Sequence, residues 1–227
     1  MPILFIVLGL AAVGGIAYLA YYRKKKRRED LAIAAQQLGL EYSPQDLKGC
    51  LGLPFALLQK GDGRGTENVL DGTWQGMAVT EFDYWFYEQS TDAQGHSSKS
   101  YSYFSCAVTG IEAECAHLTL DRENLLTWLG DHLGLHDIEF ESDAFNKAFN
   151  VKCKDKKFAN DIVDARMMQW LLATDGGFQF EVCGQWILVY SRRRKPTELI
   201  PLLGTLEQFQ QHVPHVVYEL YGSGHPQ

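Results

Sequence analysis

The chain has 227 residues, 46% of them hydrophobic and 12% aromatic, with a net charge of −7, enough material for one large domain or two small ones. The six positive charges Arg23, Lys24, Lys25, Lys26, Arg27 and Arg28 sit in one run; removing them leaves residues 29–227 at −13, a charge that repels phosphate backbones and argues against nucleic-acid binding. Five cysteines, Cys50, Cys106, Cys115, Cys153 and Cys183, are odd in number and form no C-x-x-C pair, which excludes a disulfide framework and a zinc ribbon and fits a reducing compartment.

Ile3 to Tyr22 is uncharged for 20 residues, sufficient at 1.5 Å rise per residue to cross a hydrocarbon core of about 30 Å. Tyr18, Tyr21 and Tyr22 gather at its end, where amphipathic rings favour the headgroup zone. A cleaved signal peptide would carry its positive charge before the apolar run, and here the order is reversed. The expectation is a retained transmembrane helix, with residues 1–28 as anchor and basic stop. The basic run holds residues 29–227 on the cytoplasmic side of an inner membrane, single-pass, and residues 3–28 contact lipid. The soluble part is expected as one α+β domain, with 29–120 and 121–227 as an alternative division into two subdomains.

Arg28 to Leu40 is Ala/Leu/Gln-rich and continues as helix until Gly39 and Pro44. Residues 41–65 read as a loop with an apolar patch at Leu51–Leu58. "TENVLDGTWQGMAVTEFDYWFYE" contains two strands around a Gln75-Gly76 hairpin turn. On the second, period 2 places Phe82, Tyr84 and Phe86 on one face and Val79, Trp85 and Tyr87 on the other. "SYSYFSCAVTG" is a third strand and "HLTL" a fourth, so an antiparallel meander with two apolar faces needs cover on both.

A helix over Arg122–Leu133 with Asp121 as N-cap, a short strand in "IEFES", a brief helix in "DAFNKAF" and a strand in "NVKC" follow. One long helix is expected from the Asp155 cap to Gly176-Gly177, with Phe158, Ile162, Ala165, Met168 and Leu172 as its apolar stripe. "FQFEVCGQWILVYS" reads as a second hairpin, and Pro214 divides two C-terminal helices. The expected fold class is therefore α+β: a transmembrane helix, then a soluble domain of antiparallel strands, a meander plus a later hairpin, packed with helices.

"GDGRGTENVLDGTWQG", "EFDYWFYE", "YFSCA", "IEFES-DAFN" and "KFANDIVDARMMQWLL" resemble an uncharacterised family of bacterial, notably actinobacterial, proteins with one N-terminal hydrophobic segment. The resemblance runs from about Leu31 to Tyr221, and the later half is also similar to a broader bacterial domain of unknown function. It implies topology and a bacterial source, and no activity.

Chemistry-bearing motifs are sparse. "GDGRG" (Gly61–Gly65) leads into a strand and lacks the Gly-Lys-Ser/Thr of a phosphate loop, so it reads as a flexible turn. His132 and His136 have helical metal spacing but no H-E-x-x-H glutamate, and His212 and His215 flank a proline. "YGSGH" lacks the nucleophile-elbow pattern. Asp161, Asp164 and Arg166 read as solvated ion pairs on the long helix, and Arg192, Arg193, Arg194 and Lys195 as a solvated turn or a second lipid contact. The aromatic run 82–87 serves either as core or as a ligand surface. No catalytic, cofactor or metal residue is assigned. Two functions stand: a non-enzymatic module at the inner membrane face that binds a protein partner or ligand, and an enzyme with a polar site near Glu139, Glu141 and His136.

Overall fold

The structure is a computed structural model that describes residues 2–92, 94–122, 134–174 and 177–222, with side chains described from Gly14 onward. It is α+β, as the alternating and 3.6-periodic segments require: a seven-stranded antiparallel sheet with helices on one face.

Helix α1 runs unbroken from Pro2 to Leu38 and ends at Gly39, whose φ of 72° reverses the chain. Among the described residues no helix is long and apolar enough to cross a membrane; the expected span, Ile3–Tyr22, falls mostly on residues 3–13, whose side chains lie outside the description. Past the basic run, Leu31 and Ala35 are buried against the sheet and Leu38 packs beside them. With Arg27 they form a stripe at spacings of 4, 4 and 3, and this stripe docks the helix.

Strand β1 (Glu41–Gln45) occupies residues expected as loop; it lies at the sheet edge, the position where Pro44, with no N–H to give, is tolerated. Strands β2 (Gly63–Trp74) and β3 (Met77–Thr91) form the expected hairpin, with Trp74 opposite Met77 and positive φ at both Gln75 and Gly76, the type I′ geometry. Strand β4 (Ser97–Arg122) is the spine. One of its edges takes β3 along 97–108 and then β6 (Phe149–Cys153) along 118–122; the other takes β7 (Gln179–Arg192). "HLTL" is thus the end of β4 rather than a separate strand, and Asp121 is inside the strand opposite Asn150 rather than a helix cap. The remainder of the helix expected at 122–133 lies outside the described residues.

The expected second hairpin is a correction. β7 is a single 14-residue strand, because it pairs with β4 along almost its whole length. The turn signal at Gly184 (φ 57°) marks a bend, where extra β4 residues between Gly110 and Cys115 are accommodated. Helix α2 (Asp143–Ala148) follows expectation, but strand β5 (His136–Ile138) ends where the strand expected in "IEFES" begins and shares only Ile138 with it, because it pairs with β6 through His136, Asp137 and Ile138.

The long helix is also corrected. It is two helices, α3 (Lys156–Ile162) and α4 (Ala165–Ala173), because Asp164 acts as a second N-cap, accepting from the Met167 N–H at 2.8 Å, as Asp155 does for the first. The break shifts the buried register by one residue. Phe158 and Ile162 are fully buried as expected, but Met167 and Leu171 replace Met168 and Leu172, and Ala165 is exposed. Helices α5 (Leu199–His212) and α6 (His215–Tyr221) meet at Pro214.

The sheet face under α1 and α2–α6 carries the larger apolar core, including Leu70, Val79, Ala107, Val189 and Phe209. The opposite face carries Phe82, Tyr84, Phe86, Phe104, Cys106 and Tyr190, covered by Phe55, Leu57 and Leu58 of the 50–59 loop. All five cysteines are free thiols.

The register shift is directly measurable. Leu171→Ala should cost about 2–5 kcal/mol in chemical denaturation, as for other buried leucines, while Leu172→Ala should stay within about 0.5 kcal/mol. Equal losses would restore the single-helix register.

Candidate functional site: a basic and aromatic groove

Alternation along β3 sends Phe82, Tyr84 and Phe86 into the smaller core and turns Glu81, Asp83, Trp85 and Tyr87 toward α1. Asp83 is buried there and receives a two-pronged ion pair: Arg27 donates through Nε at 2.7 Å and Nη2 at 2.5 Å. The third arm of Arg27, Nη1, donates to the Arg194 carbonyl at 2.8 Å. Arg193 Nη2 adds a contact to Asp83 at 3.0 Å, and Asn68 Nδ2 donates at 2.8 Å. Asn68 sits at φ 57° in the β2 bulge and accepts in turn from the Tyr42 hydroxyl. A single carboxylate thus ties α1, β1, β2, β3 and the segment after β7 together.

Burial alone would lower the pKa of Arg27, but the hydrogen bond and charge of Asp83 overcome it and hold the guanidinium above its usual value. Glu81, beside this pair, is buried with both carboxyl oxygens unpartnered among the described residues. Burial, reinforced by the Asp83 charge, raises its pKa well above the usual carboxylate value against the opposing pull of Arg27 and Arg193.

The groove opens beside this network, an open cleft of about 730 Å³. Ala20, Arg23, Lys24 and Arg27 line its helix side at spacings of 3, 1 and 3, one face of α1. Trp85, Tyr101, Tyr103 and Arg193 line its sheet side, with Glu67 between the two walls. The rings form a continuous aromatic surface: Trp85 and Tyr101 centroids are 6.2 Å apart, Tyr101 and Tyr103 6.2 Å and near-parallel, and the Arg193 guanidinium lies 5.1 Å over Tyr103. Tyr101 and Tyr103 are 49% and 40% exposed, so this surface faces outward rather than into core. The run 82–87 is therefore core on one face, and on the other its half-buried Trp85 and Tyr87 lie against the exposed Tyr101 of β4.

The glycines of "GDGRG" belong to the same construction. A Cβ on Gly63 would overlap the Tyr87 ring, and one on Gly65 would come within 2.9 Å of Trp85, so β2 is bare where those rings lie across it. The flexible-turn reading missed this close approach. The arginine run 192–195 likewise is not a loose turn: Arg192 lies over Phe104, Arg194 over Phe178, and Arg193 enters the groove.

The other sequence candidates do not converge. Glu139 lines a separate cleft of about 310 Å³ with Asp121, Asp137 and Asn146, while His136 and Glu141 are exposed and line no part of it. His132 and the end of "YGSGH" lie outside the described residues. His212 stacks on Trp170 and His215 pairs with Glu219. Asp161 accepts from Lys157 and from the Tyr221 hydroxyl, each at 2.7 Å, tying α3 to α6, and Asp164 is the cap of α4. Among the described residues no three His, Cys, Asp or Glu side chains are grouped to hold a metal ion.

Sequence reasoning also missed a buried polar cluster between β4 and β7. His117 Nε2 lies 2.5 Å from Glu181 Oε1, and Glu181 accepts the backbone N–H groups of Ala56 and Leu57, anchoring the 50–59 loop. Asp121 accepts from the Tyr190 hydroxyl at 3.0 Å, and burial pushes its pKa up to about 7.

Comparison with known proteins bears on the fold. No family model matches the chain, and no curated protein matches it. A crystal structure of the mycobacterial trehalose monomycolate transport factor A, TtfA, superposes with a TM-score of 0.62 at 14% identity, covering 82% of this chain and 93% of that one. At that identity the likeness is one of fold alone.

The His117 pair has a pH signature. Burial lowers its pKa, but hydrogen bonds to Cys183 and Glu181 and the charge of Glu181 outweigh that and raise it to about 9. A raised histidine stabilises fully below its unfolded value near 6.5 and loses that stabilisation as pH climbs through about 9. The His117 contribution to unfolding free energy, read as the difference between the wild-type and His117→Gln pH curves, should thus fall by about 3 kcal/mol between pH 6 and 10. His117→Gln should flatten the curve; an unchanged slope would remove the ion pair.

Proposed function

We propose that the chain is a membrane-anchored, non-enzymatic module that holds its domain at the cytoplasmic face of a membrane and binds a ligand or protein partner there. The observation that carries this reading is the basic and aromatic groove, whose helix wall starts at Ala20 inside the uncharged run Ile3–Tyr22 and continues into the basic residues that follow it. A retained helix over that run would put the groove at the headgroup level, with the exposed rings of Tyr18, Tyr21 and Tyr22 in the interfacial zone. Residues 1–28 act as anchor and stop and bring the chain to lipid, with Ala20–Arg27 also forming the helix wall of the groove and Arg27 held by Asp83, while residues 29–227 form the rest of the working domain. The excess of acid over base in that domain turns away nucleic acids.

The groove supports binding rather than bond chemistry: its carboxylates are committed to arginine and lysine, as in the 2.6 Å Lys24–Glu67 pair, and so are not poised as free acid and base. TtfA carries the name of a transport factor. A module of similar fold that assists movement of an amphiphile without altering it is the role in keeping with this groove.

Alkaline carbonate extraction and a reporter fused after Gln227 test the anchor and its direction. The full chain should remain in the membrane pellet, and a cytoplasm-active fluorescent reporter should light while a phosphatase active only outside stays silent. Release by carbonate, or phosphatase activity, would contradict the reading.

A further inference from the structure

We propose that the groove between α1 and the Trp85–Tyr101–Tyr103 surface binds the phosphate-bearing headgroup of one anionic membrane lipid. The inference rests on the membrane-anchored reading above and adds a ligand class and a single defined site to it.

Charge is the first argument. Arg23, Lys24, Arg27 and Arg193 converge on the cleft, against Glu67 in its lining and Asp83 behind it, so two positive charges remain in excess. That excess stands out against residues 29–227, whose total charge, Arg193, Glu67 and Asp83 included, is −13, so the groove is where an anion is drawn.

Donor availability is the second. Arg27 spends all three guanidinium nitrogens on Asp83 and the Arg194 carbonyl, so it positions the helix and contributes field. Arg23 forms no ion pair among the described residues, Lys24 is half exposed despite its contact with Glu67, and Arg193 commits only Nη2 to carboxylates. These groups present donors on both walls, suited to the oxygens of a phosphate.

Shape and location are the third. The aromatic wall offers flat, half-exposed surface to the glycerol and upper acyl portion of an amphiphile, which a free anion would not need. The cationic wall begins at Ala20, inside the uncharged run, so a lipid could place its phosphate in the groove without leaving the bilayer surface. These two features favour a lipid over soluble phosphate.

The test uses the full chain in zwitterionic detergent, titrated with short-chain phosphatidylglycerol and read by native mass spectrometry and tryptophan fluorescence. One saturable adduct per chain is expected, with phosphatidylcholine giving none. Arg23→Gln combined with Tyr103→Ser, which leaves the Arg27–Asp83 pair intact, should weaken binding about tenfold or more. Lys25→Gln with Lys26→Gln removes more charge from outside the groove lining and should change it less than about twofold. Equal weakening by the two pairs would overturn the site in favour of diffuse attraction to the basic run. Equal binding of phosphatidylcholine, which carries the same phosphate without net charge, would overturn the selectivity for an anionic headgroup, and displacement of the lipid by millimolar inorganic phosphate would overturn the lipid assignment. Membrane retention of the same variants separates the two readings: a chain that stays in the membrane yet shows no lipid selectivity loses only this proposal, whereas one that leaves the membrane loses the anchor.

Discussion

The pairing of Arg27 with Asp83 is the constraint on which the rest of the molecule depends. A guanidinium and a carboxylate taken out of water lose several kcal/mol of hydration each, and only near-ideal geometry with every remaining donor satisfied offsets that loss. Here the geometry is two-pronged, Asn68 and Arg193 supply the further contacts that Asp83 can accept, and the spare arm of Arg27 is capped by a backbone carbonyl. Hydrophobic packing of Leu31 and Ala35 holds α1 to the sheet, but packing tolerates sliding. The ion pair fixes the axial and rotational position of the helix. Residues Ala20, Arg23 and Lys24 consequently face Tyr101 and Tyr103 across a gap rather than pointing elsewhere.

The sheet supplies a matching rigidity. Because β4 pairs with three strands, the aromatic surface at its start and the His117–Glu181 cluster near its end belong to one continuous ladder. Glu181 pins the 50–59 loop over the smaller core through the N–H groups of Ala56 and Leu57, so the back of β3 stays packed while its front carries charge and exposed rings. One strand thus serves as core on one side and as site wall on the other.

Much of this was legible in the sequence where local chemistry is decisive. The Gln75-Gly76 turn, the Phe82/Tyr84/Phe86 face, the Asp155 cap and the Pro214 division each follow from a neighbourhood of a few residues. The readings that failed depended on partners far along the chain. Nothing within "FQFEVCGQWILVYS" reveals that β4 is long enough to pair with nearly all of it, so the segment reads as a hairpin. The Asp164 cap was visible three residues before Met167, but the strong periodicity on both sides masked it. For the site, the signal lay in Asp83 standing among apolar neighbours on one strand face. Charges at such positions require buried partners, and Arg27, absorbed into a run read as a topogenic signal, was the partner 56 residues away.

The most direct test of this account is a double-mutant cycle on Arg27 and Asp83 in the full chain, measured by chemical denaturation in a zwitterionic detergent. If the pair is the lock, Arg27→Met and Asp83→Leu should each cost about 3–5 kcal/mol by stranding a buried charge, and the double variant should cost no more than either alone, a coupling of at least about 3 kcal/mol. Losses that simply add, or singles that each cost under about 1 kcal/mol, would mean that α1 is not held by this pair and that the groove has no fixed helix wall.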